Sequence, residues 1–278
     1  MCRFPLAEII WDWWEAAEID LSRVNENGHN LLSIAARAGS LIICEKLVER
    51  GIDVNARFKG GSYGSAQVAA VFSGYADVVK YLVEAGADVN TLLNEGEGKY
   101  DCALEAAVKH GAVDVVRYLV HDARADINIP LPRSQTGHVL GEAAALPNVE
   151  ILKILLDAGA DVNTVVPGQK YGSALAAACS GQFNNVKCLI QAGADANMQF
   201  QGGYGCALLQ ACISDPGLEI AKYLINDALQ GARSDISEHI AWIRRRYNNE
   251  EDVQFFSEEW GDEKPAIVEF LQEHGVGR

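Results

Sequence analysis

"YGSALAAACSG" occupies residues 171–181, and the chain writes the phrase twice more in altered form, as "YGSAQVAAVFSG" at 63–74 and "YGCALLQACISD" at 204–215. It combines glycine-rich turn material with a run of small residues, and it holds no group with evident chemistry. Its recurrence decides the fold. The second alanine of each alanine step makes a ruler, Ala36, Ala70, Ala107, Ala144, Ala178 and Ala211, with steps of 34, 37, 37, 34 and 33. A second marker, "GIDVN", "GADVN", "RADIN", "GADVN" and "GADAN", ends at Asn55, Asn90, Asn128, Asn163 and Asn197, with steps of 35, 38, 35 and 34. Two independent markers on one period mean an array of supersecondary units.

Each unit contains two helical patterns. The first is built of small residues, as in "SALAAACS"; the second is larger and amphipathic, as in "ADVVKYLVEAG". There Val78, Val79, Leu82 and Val83 recur at helical spacing, while Lys80 and Glu84 face water. Gly86 and Gly159 supply left-handed C-caps. Small residues in one helix and larger ones in the other let units stack closely and curve.

The residues from about Asn25 to Leu229 resemble the ankyrin repeat. "GHNLLSIAARAG" parallels the family's G-x-T-P-L-H-x-A-A-x-x-G, and "GADVN" closes the units. The resemblance implies an all-α ankyrin-repeat solenoid of about six helix-turn-helix units with finger turns, plus helical caps. It departs where the family's T-P-L-H turn reads "GSAQ", "DCAL", "GSAL" and "GCAL", so that packing of glycine and small residues is expected to replace the Thr–His hydrogen bonds. The "GG-x-YG-x-AL-x-A" variant is similar to repeats of filamentous-fungal NACHT-type immune receptors and their stand-alone relatives.

The 278 residues are 49% hydrophobic and 22% charged, with a formal net charge of −15. That composition is globular. The negative charge disfavours nucleic acid and anionic membranes, which are bound chiefly through Lys and Arg. No apolar run approaches the roughly 20 residues of a membrane span, and Glu8 and Asp12 interrupt the N-terminal apolar stretch. A cytoplasmic location is expected, with the nucleus as the alternative. Seven cysteines, Cys2, Cys44, Cys102, Cys179, Cys188, Cys206 and Cys212, form no CxxC pair and read as reduced thiols used as small core residues.

Terminal units need covers. Residues 1–24 read as a capping helix with Leu6, Ile9, Ile10, Trp13 and Ala17 on one face; 25–230 form the array; 231–278 form a degenerate unit and C-terminal helical cap.

In an array of this family the finger turns and first helices line the concave face where ligands usually bind. Seven residues before each ruler alanine stand His29, Tyr63, Tyr100, Gly137, Tyr171 and Tyr204; just after the ruler come Phe72, Lys109, Leu146 and Ile213, among others. Tyr63, Phe72, Tyr100, Lys109, Leu146, Tyr171, Tyr204 and Ile213 are therefore the candidate ligand-binding set, because tyrosine joins contact area to a hydrogen-bonding tip. The alternative is that these rings clamp neighbouring fingers. Asp101 fills a slot held by glycine in units two, five and six, and Glu105 and Glu142 share one groove-facing slot on the ruler, with Lys109, Arg133 and His138 nearby. This polar patch either orients a ligand or is a solvated ion-pair cluster.

No metal spacing, P-loop or nucleophile motif appears, and no cofactor is expected. Asp101, Glu105, His138 and Glu142 are the groups that could do acid–base work. The leading expectation is a non-catalytic module that binds a protein segment in its concave groove. The alternative is a groove that binds or transforms an apolar small molecule, as in fungal specialised metabolism.

Overall fold

The computed structural model describes residues 20–21, 23–59, 61–199, 205–214 and 217–225, with the side chains of 212, 213, 217 and 218 outside that set. The expected caps at 1–24 and 231–278, with Trp13 and Tyr247 among their residues, lie almost wholly outside it. Within it run twelve α-helices in pairs. The first helices of the units are α1 (Leu31–Arg37), α3 (Ala66–Phe72), α5 (Ala103–Lys109), α7 (Val139–Ala145), α9 (Ala174–Ala178) and α11 (Ala207–Ile213). The second helices are α2 (Leu41–Glu49), α4 (Ala76–Glu84), α6 (Val113–Arg117), α8 (Val149–Asp157), α10 (Phe183–Gln191) and α12 (Gly217–Tyr223). Each first helix packs on the next first helix, and the second helices form a parallel outer row. The described residues contain no strand, only isolated bridges such as Pro130–His138 that close finger turns.

The N-caps set the register of the array. They are Asn30, Ser65, Cys102, His138, Ser173 and Cys206. Two residues on stand Leu32, Gln67, Leu104, Leu140, Leu175 and Leu208, all buried. Burying one such leucine is worth about 2 kcal/mol, so this column is the spine. Five residues on stand Ala35, Ala70, Ala107, Ala143, Ala178 and Ala211. The alanine ruler therefore slips by one residue in units one and four, at Ala36 and Ala144. An alanine doublet satisfies two adjacent small positions equally well, so it cannot report which one it occupies.

The corrected register changes the reading of the turn. Ser65 and Ser173 accept the backbone N–H three residues on at 3.2 Å, and Asn30 accepts that of Ser33 at 2.8 Å. The thiols of Cys102 and Cys206 do the same at 3.4 Å. The expectation that packing alone replaces the family's threonine is thus corrected: an acceptor stands in the threonine place of five units, and two of the buried core thiols, Cys102 and Cys206, serve as caps as well. His138 alone of the six makes no side-chain cap bond.

The residue before each cap closes its finger through its carbonyl. Phe58 donates to Gly64 at 3.0 Å, Leu93 to Asp101 at 2.7 Å, Leu131 to Gly137 at 2.9 Å and Val166 to Gly172 at 2.9 Å. Gly64 has φ +71°, and a Cβ there would meet the Glu97 carbonyl oxygen at 1.5 Å. Only glycine fits.

The closing "DVN" motifs couple the units. Within each, the Asp carboxylate accepts the Asn N–H, as in Asp88–Asn90 at 3.0 Å. The Asn side-chain Oδ1 then accepts the Asp N–H of the following unit: Asn55 from Asp88 and Asn90 from Asp126 at 2.8 Å, Asn128 from Asp161 at 3.3 Å, Asn163 from Asp195 at 2.8 Å. Sequence reading used this motif only as a ruler; it is a hydrogen-bonded relay along the array. Of the three residues by which the step ending at Asn128 exceeds its neighbours, two lengthen the finger between Asn90 and the Cys102 cap, and one is absorbed by a π-helical segment over Tyr118–Asp122. An extra residue there widens the turn without shifting Leu119, which stays fully buried.

Candidate functional site on the fingers and first helices

A run of rings crosses units one to three. His29 stacks on Tyr63 at 5.3 Å, Tyr63 lies 4.9 Å from Phe72, Phe72 meets His110 at 4.7 Å, and His110 meets Tyr100 at 5.5 Å. The Tyr100 hydroxyl and His110 Nε2 are hydrogen-bonded at 2.6 Å. The Arg37 guanidinium sits 5.6 Å over the Tyr63 ring. Tyr63 is only 4% exposed, so it is a buried member of the run and not an open lining of a groove. The clamping alternative applies to it. The run reaches the surface at Phe72, which is 37% exposed, and at half-buried Tyr100. Partial burial lowers the His110 pKa and raises that of Tyr100, which keeps both rings neutral near pH 7.

The polar patch is a network between units three and four. Arg133 places its backbone N–H on Asp101 Oδ2 at 3.0 Å and its Nε on Oδ1, while Nη1 and Nη2 donate to the carbonyls of Gly98 and Tyr100. The Asp101 N–H donates to Glu105 Oε2 at 2.5 Å, and Lys109 Nζ meets Glu105 Oε1 at 2.6 Å. Lys109 continues to Glu142 Oε2 at 3.6 Å, and the hydroxyls of Ser134 and Thr136 donate to Glu142 Oε1. Asp101, Glu105, His138 and Glu142 are all buried. The solvated-cluster reading is corrected: the carboxylates are internal, and solvent meets the stems and heads of Lys109 and Arg133. Burial pushes the Glu105 carboxyl up against the opposing pull of Lys109, and the two carboxylates beside Lys109 hold its ammonium above the usual lysine range despite its own desolvation.

In the N-cap register Glu105 stands three residues after its cap and Glu142 four after its own. They do not share a slot. Glu105 takes the histidine place of the family's turn, whereas Gly141 takes it in unit four. A Cβ on Gly141 would lie 2.7 Å from the Thr136 Cβ, so only glycine leaves room for the Thr136 shelf that holds Glu142.

His138 Nδ1 lies 2.8 Å from the Thr136 carbonyl, which can only accept, so the proton sits on Nδ1. Nε2 is then a bare acceptor, buried and without a partner. Desolvation lowers the His138 pKa. Asp101, Glu105 and Glu142 are thus each held by partners inside the protein, while His138 keeps one ring nitrogen without a partner.

Tyr171 is half-buried under the Lys170 ammonium, 4.8 Å from the ring centroid. Leu146 is half-buried, and its carbonyl accepts from Asn185 Nδ2 at 2.6 Å. Asn185, which sequence reading missed, also reaches the Ala144 carbonyl at 3.0 Å and so closes the end of α7, where no glycine does. Lys109 falls at the same register position as Phe72, seven after the cap. Tyr204 and the Ile213 side chain lie outside the described residues. Among the described residues no group of His, Cys, Asp or Glu could hold a metal ion, and no helix is long and apolar enough to cross a membrane.

The paired helices, glycine-closed fingers and Asp–Asn relay find a direct counterpart among known families. The ankyrin-repeat family matches residues 8–92, 60–131 and 140–237. The chain is an ankyrin-repeat protein. The family match begins within the stretch expected to be a separate N-terminal cap. The array is also similar to the E3 ubiquitin-protein ligase KEG of Arabidopsis thaliana, 32% identical over 96 residues, covering 34% of this chain and 6% of that protein. The chain thus spans a small part of this relative's length. Ankyrin arrays are protein-interaction modules.

Proposed function

We propose that this ankyrin array binds an extended protein segment along the face of its fingers and first helices, with Phe72, Tyr100, Lys109, Leu146 and Tyr171 in contact with the segment. The observation that carries the reading is the ring run from His29 to Tyr100, buried at Tyr63 and open at Phe72. Rings fixed by their own stacking lose little freedom when a partner docks, and that lowers the entropic cost of binding. The Lys109 and Arg133 heads, anchored by buried carboxylates, give fixed donors at the centre of the same face. The finger variant similar to fungal NACHT-type receptor repeats agrees with a recognition role, and the free thiols Cys44, Cys102, Cys179, Cys188 and Cys206 fit a reducing compartment such as the cytoplasm.

The test compares wild type with Tyr100→Ala plus Tyr171→Ala in affinity capture, with thermal melts to show that the variant is folded. The expected result is at least tenfold lower recovery of the bound protein. Equal recovery by a folded double variant would remove the groove from the reading.

A further inference from the structure

We propose that the cleft over Gly74 is an anchor site for an aromatic side chain of the bound segment, flanked in that segment by a lysine or arginine. The inference rests on the reading of the array as a protein-binding module and names the chemistry it selects.

The protein contains its own template for the occupant. In unit two, Tyr75 is the N-cap of α4. Its ring lies on Gly39 of unit one, so closely that a Cβ on Gly39 would meet ring atoms at 2.4 to 2.6 Å. The notch between the first two units is therefore filled by a tyrosine. The equivalent residue of unit three, ten after its first-helix cap, is Ala112, the N-cap of α6. Its backbone angles, φ −78° and ψ 72°, match the −85° and 84° of Tyr75. The glycine facing it is Gly74, with φ +78° against +69° at Gly39. Nothing stands within 4 Å of where a Gly74 Cβ would be.

The same backbone thus frames two notches, one filled from within and one empty. The empty one is a cleft of about 490 Å³ bounded by Phe72, Gly74, His110, Gly111, Ala112 and Asp114. That volume lies in the range of about 300–1,000 Å³ typical of ligand sites. Phe72 and His110 offer an aromatic wall, because they meet edge to face and His110 is held by the Tyr100 hydroxyl. A ring entering the cleft finds the offset or edge contacts that aromatic pairs favour. The cleft opens beside the ring run, so a segment lying on Phe72 and Tyr100 reaches it without a break.

Asp114 decides the neighbour. It is exposed in the first turn of α6, lines the cleft, and forms no ion pair among the described residues. With a chain charge of −15 it favours a cation at the lip.

The decisive experiment is selection of a displayed random nonapeptide library on the wild-type protein, followed by titration of the enriched peptides into wild type, Ala112→Tyr, Phe72→Ala and Asp114→Asn. Ala112→Tyr copies Tyr75 and plugs the cleft from within, so it is expected to keep or raise the melting temperature while weakening binding at least tenfold. If that variant does not fold, Ala112→Leu, which partly fills the same cleft and leaves the ring run intact, serves instead, with weaker binding again expected. Enriched peptides should carry an aromatic residue next to Lys or Arg, and Asp114→Asn should erase the preference for the cation.

Peptides that bind a folded Ala112→Tyr as tightly as wild type, while Tyr100→Ala plus Tyr171→Ala abolishes binding, overturn the anchor and leave the groove. No enrichment at all overturns both. Self-association of wild type in sedimentation, abolished by Ala112→Tyr, makes the occupant a second copy and overturns the partner class.

Discussion

Arg133 wraps Asp101 from a finger 32 residues further along the chain, with its backbone N–H on one carboxylate oxygen and its guanidinium on the other. Asp101 is 1% exposed, so its charge has no recourse to water. The pair is what ties unit three to unit four at the finger level.

Removing the two partners should therefore have unequal effects. Arg133→Ala leaves a buried carboxylate with one backbone donor and is expected to cost about 3–5 kcal/mol in denaturant unfolding. Asp101→Asn keeps an acceptor and releases an arginine that can reach solvent, so its cost should be about half as large. Equal losses would mean that the pair is not the source.

The relay predicts coupling between units. Asn90→Ala removes one cross-unit bond, the acceptor for Asp126 N–H. Asn163→Ala removes two, because Asn163 also donates to the Gly193 carbonyl at 3.1 Å. These bonds are exposed, so each is worth about 0.5–1 kcal/mol. The Asn163 variant should lose more, and its unfolding transition should broaden as the units uncouple. Identical transitions for both variants would contradict the relay.

Buried histidine sets an acid sensitivity. The His138 pKa lies below the ordinary 6.5 because of desolvation, with weaker opposing effects from Thr136, Glu142 and Asp161. The unfolded chain then takes up its proton first, so stability falls as pH drops below about 6.5. His29 and His110 act in the same direction. Glu105, raised above 4.5, acts oppositely over the window above that value. Melting temperature should decline from pH 7 to 5, and His138→Asn should flatten the decline. An unchanged slope would acquit His138.

The capping thiols should be inert. Burial pushes Cys102 and Cys206 up to about 12, so thiolate is scarce at pH 8. Among the described cysteines, half-buried Cys188 should alkylate first under native conditions, read by mass spectrometry. Cys102→Ser keeps an acceptor for the Glu105 N–H and should melt within a few degrees of wild type, whereas Cys102→Val should lose about 1 kcal/mol. Early labelling of Cys102 would contradict its burial.

The period, the helix pairs, the glycine stops and the all-α class were legible in the chain because they are local signals repeated in step. A residue's neighbours four positions away and its glycine punctuation carry that information whatever the rest of the molecule does. The alanine doublets at Ala35–Ala36 and Ala143–Ala144 could not fix the register, since two adjacent small slots accept them equally. Tyr63 shows the same limit from another side: it shares a finger position with Tyr100 and Tyr171, yet only the stacking of His29 and Phe72 around it turns a surface slot into an interior one. Cys102 looks like any small core residue until its N–H partner is in view. Asp101 and Arg133, Asn163 and Asp195, and Tyr75 against Gly39 are each decided by how one unit lands on the next. That landing depends on finger length and stacking geometry, and it is a property of the folded array that no local stretch contains.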